Sequence, residues 1–117
     1  MTRLSGAMLF VADLPAMTAF YRDVVGFTPI EDTRLDDWIE FDTGETRFAL
    51  HAIPAHLGVA GSPSATINLQ LCVSRGSGEP AAARDRLAAA GATILERPWG
   101  GWDFADLEGN VLGVAAR

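Results

Sequence analysis

The chain repeats itself. Gly26 and Gly91, Ile30 and Leu95, and Phe41 and Phe104 stand in matching surroundings, at an offset of about 63–65 residues. In a chain of 117 residues that offset leaves room for two copies of one supersecondary unit and little more. The expectation is a single domain built of two units, about residues 1–60 and 61–117.

The first copy reads β-α-β-β-β. Ser5–Val11 is a short run of strand formers. Asp13 stands just ahead of a helix and Pro15 falls in its first turn, where a missing N–H costs nothing. Leu14, Met17, Tyr21, Val24 and Val25 recur at helical spacing, and Gly26 ends the run. Phe27–Thr33 reads as a strand. Trp38–Asp42 alternates, Thr43–Gly44–Glu45 turns, and Thr46–Ala52 is another strand. Alternation puts Trp38 on one face with Glu40 and Asp42, and leaves Ile39 and Phe41 for the core. His51 shares a face with Ala49 and Arg47.

A Pro- and Gly-containing linker follows, and the order repeats. Thr66–Val73 is a strand. Pro80–Ala90 is an Ala-rich helix with Arg84, Asp85 and Arg86 toward water and Leu87 inward. Residues 92–97, Trp102–Ala105 and Val111–Ala116 complete the second set of strands, with an acidic turn before the last. The predicted class is α+β: two tandem βαβββ units.

Composition excludes several functions. The formal charge is −6 and all nine basic residues are Arg, so no basic footprint exists for a phosphate backbone. The same balance suits a cationic ligand. No apolar stretch approaches the length of a membrane span, and the first residues lack the long apolar core of a signal peptide. Cys72 is the sole cysteine, so it forms no internal disulfide; it reads as a small buried hydrophobe. A cytoplasmic protein is expected. The Gly-rich 58–64 segment lacks the Lys of a phosphate loop.

Two segments, Leu9–Phe27 (LFVADLPAMTAFYRDVVGF) and Phe104–Val114 (FADLEGNVLGV), resemble the signatures of the vicinal oxygen chelate superfamily. That superfamily holds glyoxalases, bleomycin-resistance proteins and ring-cleaving dioxygenases. Leu107 stands where the closing hairpin usually has Pro. The resemblance implies paired units whose curved sheets enclose a cleft, within one chain or across a homodimer. It also implies a divalent metal held by His, Glu or Gln from the first and last strands of each unit. Those positions fall on Gly6, Ala49, Asn68 and Gly113, of which Asn68 alone offers an oxygen. Ser5–Val11 and Val111–Ala116 contain no His, Asp or Glu at any position, so no shift of register builds the chelate. No metal and no cofactor are expected.

Gly113 then leaves space in the cleft wall. Gly6, Met8 and Phe10 line the facing wall, and Asn68, Gln70 and Cys72 the floor. The ERPWGGWDF stretch is similar to a Pro-Trp-Gly segment of bleomycin-resistance proteins. The expected function is sequestration of a planar cationic antibiotic without turnover. Trp38, Trp99 and Trp102 stack on it, Glu40 and Asp103 supply negative charge, and Asn68, Gln70 and His51 orient it. One rival is a glyoxalase-like lyase or isomerase, or a dioxygenase-family enzyme with an atypical or absent metal site. In it His51 and Glu40 form an acid–base pair. The other rival is an accessory module that binds a metabolite or a protein.

Overall fold

The computed structural model describes residues 5–53, 69–73, 78–98 and 100–116. It divides into two compact units, Met1–Gly61 and Ser62–Arg117. Each contains one four-stranded sheet.

In the first unit the elements are β1 (Gly6–Val11), α1 (Leu14–Ala19), a π-helix (Phe20–Val25), β2 (Thr28–Leu35), β3 (Trp38–Asp42) and β4 (Arg47–Ala52). The sheet runs β1-β4-β3-β2, with β1 parallel to β4 and the other pairs antiparallel. Asp13 caps α1, its carboxylate accepting from the Ala16 N–H at 3.0 Å. Gly26 stops the helical run with φ of 95°, a conformation glycine adopts without strain.

The helical spacing predicts one regular helix to Val25. Its second half instead widens into a π-helix. The wider turn lets the adjacent Phe20 and Tyr21 both bury, with their rings edge-on at 5.3 Å. Tyr21 then meets Phe48 at 4.9 Å, and Phe27 meets Phe48 and Phe41 at 5.5 and 6.2 Å. This aromatic cluster, with Met17, Ile39 and Leu50, is the core of the unit, and it lies on the helix side of the sheet.

The second unit repeats the plan: β5 (Leu69–Val73), α2 (Glu79–Ala89), β6 (Thr93–Glu96), β7 (Trp102–Ala105) and β8 (Val111–Ala116), in sheet order β5-β8-β7-β6. The residues before Leu69 that were expected to start β5 lie outside the described residues. Among the described residues, its buried apolar side chains are Ala83, Leu87, Ala92, Phe104 and Leu112. The Asp106 carboxylate is buried and holds the last turn, accepting from the backbone N–H groups of Glu108 and Asn110, both at 2.9 Å. No helix among the described residues is long and apolar enough to cross a membrane.

Candidate functional site

Strand pairing lines the residues up in rungs. On the face of the first sheet turned from the helix, one rung is Phe10–His51–Trp38 and the next is Met8–Ala49–Glu40–Ile30. A third rung holds Gly6, Arg47 and Asp42. Phe10 and Met8 are 46 % and 41 % exposed, and Leu35, opposite Trp38 in the bulged β2–β3 pair, is 64 % exposed. Large apolar side chains are thus left in water on one sheet face. Glu40 is half-buried among them, and its carboxylate makes no ion pair or hydrogen bond with any described residue.

His51 sits between the two rings of its rung, at 5.5 Å from Phe10 and 5.9 Å, edge-on, from Trp38. Its Nδ1 lies 2.6 Å from the carbonyl oxygen of Ala52. Its Nε2 lies 3.9 Å from a carboxylate oxygen of Asp37. The predicted partner, Glu40, is one rung away on β3, and the acid nearest the imidazole is Asp37 of the β2–β3 turn. Asp37 went unnoticed in the sequence because the turn, not strand alternation, aims its carboxylate. The Ala52 N–H bonds the Asp37 carbonyl at 2.8 Å and so fixes the turn against β4.

The corresponding rung of the second unit is Gln70–Gly113–Asp103–Leu95. The space predicted over Gly113 is taken. A methyl group built there would collide with the Gln70 amide, its Cδ and Oε1 both at 2.6 Å. Asp103 is not available charge either: its side chain is 14 % exposed and accepts from the Arg97 guanidinium at 2.7 Å.

Trp102 is separated from Asp103 by the strand's own alternation. It falls on the side of β7 that carries the buried Phe104, and Arg84 of α2 stands over its ring at 5.8 Å. Arg84 also pairs with Glu96, which the register places opposite Trp102. That hydrogen bond raises the Arg84 pKa and lowers that of Glu96. Asn68 and Trp99 lie outside the described residues.

Of the positions that the resemblance assigns to a metal, Gly6, Ala49 and Gly113 carry no donor atom. A Cβ on Gly6 would lie 2.5 Å from the Arg47 carbonyl oxygen. Among the described residues no three His, Cys, Asp or Glu side chains gather closely enough to hold an ion. These residues do not fit a side-chain chelate.

Tandem four-stranded units, each with its first strand parallel to its last and a helix on one face, define the glyoxalase-like class of scaffold. The chain belongs to the Glyoxalase/Bleomycin resistance protein/Dioxygenase superfamily, whose family model matches residues 3–113. No curated protein sequence matches it significantly. Among solved structures, a glyoxalase-related enzyme from Fulvimarina pelagi is 25 % identical with a TM-score of 0.77, over 100 % of this chain and 89 % of that one. A family enzyme from Burkholderia phytofirmans PsJN has the same identity and TM-score, over 97 % of both chains. The fosfomycin resistance protein FosX from Mesorhizobium loti, at 16 % identity and a TM-score of 0.75 over 100 % of this chain and 93 % of that one, shares the fold.

Proposed function

We propose that this chain binds a planar, cationic small molecule on the open face of its first unit and leaves it chemically unchanged, as an antibiotic-sequestering member of its family. The observation that carries this reading is the row of exposed Phe10 and Met8 and half-buried Trp38, beside a half-buried Glu40 with no described counter-charge. Flat ring faces stack on a heteroaromatic, and an uncompensated carboxylate favours a positive charge near it. Three of the four metal positions, Gly6, Ala49 and Gly113, lack donor side chains, which supports binding over metal-assisted turnover. In this reading the chain acts as one domain in a cytoplasmic homodimer. Its lone cysteine suits a reducing compartment, and a second subunit would cover exposed apolar side chains such as Leu35.

The test is titration with acridinium dyes and with bleomycin, read by tryptophan fluorescence and calorimetry. Trp38→Ala is expected to weaken binding about tenfold, the worth of one stacked ring. Trp102→Ala is expected to leave it unchanged. Loss through Trp102 with none through Trp38 would overturn the placement of the site.

A second reading rests on the imidazole. His51, with its Nε2 3.9 Å from the Asp37 carboxylate, is the side chain of this face best suited to take up a proton, and a glyoxalase-like isomerase or lyase would use it so. Mass spectrometry of the bound compound after incubation separates the two: recovery of a single unaltered species supports sequestration.

A further inference from the structure

The protonation pattern around His51 says more about the guest, granted the binding reading above. The Ala52 carbonyl oxygen can only accept a hydrogen bond, so the ring nitrogen 2.6 Å from it, Nδ1, carries the proton. In the neutral ring Nε2 then keeps its lone pair. Phe10 and Trp38 hold the ring from either side, and a quarter of the His51 side chain stays open to water.

Asp37 presents a second acceptor 3.9 Å from Nε2, too far for a direct hydrogen bond. With the ring neutral, these two acceptors hold no proton between them. A single group with two N–H donors reaches both at ordinary lengths of about 2.8–3.0 Å. The Glu40 carboxylate lies one rung along the same face, and Arg47 is a further rung away.

We infer that His51 Nε2 and Asp37 together form a two-point acceptor that selects cations bearing N–H groups, such as amidinium, guanidinium or primary ammonium on an aromatic frame. Quaternary ammonium, which has charge without N–H, is discriminated against. His51 is thus a specificity-determining residue, and the aromatic row supplies the affinity that both kinds of cation share.

The experiment compares benzamidinium with phenyltrimethylammonium by calorimetry on the full chain. The wild type is expected to bind benzamidinium about tenfold more tightly, as one charge-assisted hydrogen bond implies. His51→Phe keeps a ring between Phe10 and Trp38 and removes the acceptor. It is expected to abolish the preference by weakening benzamidinium alone. Asp37→Asn is expected to weaken benzamidinium about threefold and to leave phenyltrimethylammonium unchanged, which keeps the test open should His51→Phe fail to fold. Equal wild-type affinities for the two probes overturn the inference and leave the binding reading standing. No binding of either probe or of the acridinium dyes overturns both.

Discussion

The two units share one plan and have spent their open faces differently. Rung for rung, Met8–Ala49–Glu40–Ile30 in the first corresponds to Gln70–Gly113–Asp103–Leu95 in the second. Each has a small residue in the middle strand and a carboxylate beside it. In the second unit the Gln70 amide lies over the glycine and Arg97 holds the aspartate. In the first unit Met8 stays exposed and no described residue neutralises Glu40. The two equivalent surfaces therefore differ: the carboxylate of one is paired by a side chain of its own unit, and that of the other has no described partner. Under the proposed function, an external cation would gain more from the unpaired Glu40 carboxylate of the first face than from the paired Asp103 of the second.

If the units differ only in their open faces, their cores must be equivalent. Phe41 and Phe104 occupy matching positions and are both fully buried. Phe41→Ala and Phe104→Ala are each expected to cost about 3–5 kcal/mol in urea unfolding, through lost burial and the cavity left behind. A Phe104→Ala cost below about 1 kcal/mol would show that the core of the second unit is no counterpart of the first.

The two glycines at the family's ligand positions sharpen the contrast. Gly6 meets backbone, the Arg47 carbonyl, and Gly113 meets the far end of a flexible side chain. Gly6→Ala forces apart the parallel β1–β4 pair and is expected to cost about 1–3 kcal/mol. Gly113→Ala displaces the Gln70 amide and stiffens the unfolded chain, so its stability is expected within about 0.5 kcal/mol of the wild type. Thermal unfolding of the two variants checks this. Equal effects would mean that Gln70 is fixed over Gly113 as rigidly as a backbone.

Much of the fold was legible because it rests on short-range signals. The Asp13 cap, the Gly26 stop and the alternation of β3 each act within a few residues. The same alternation separates Trp102 from Asp103, although their shared glycine-rich neighbourhood suggested a joint role. What could not be read is what distant residues do to each other. Nothing local to Asp103 announces Arg97, and nothing local to Gly113 announces the Gln70 amide on the neighbouring strand. The π-helix was hidden because its cause, the joint burial of Phe20 and Tyr21, lies in packing rather than propensity. Asp37 was hidden because a turn places it.

The smallest effects come from the two carboxylates, and they divide the units most cleanly. Glu40→Gln removes a charge that nothing described in the fold uses. Stability is expected to stay within about 0.5 kcal/mol, while affinity for an acridinium cation falls about three- to fivefold. Asp103→Asn strips Arg97 of its partner in a partly buried pair, at a cost of about 1 kcal/mol, and is expected to leave acridinium affinity unchanged. The reverse pattern would refute the division: affinity lost at Asp103 and stability lost at Glu40 would mean that the second unit's rung faces the ligand and the first unit's rung is structural.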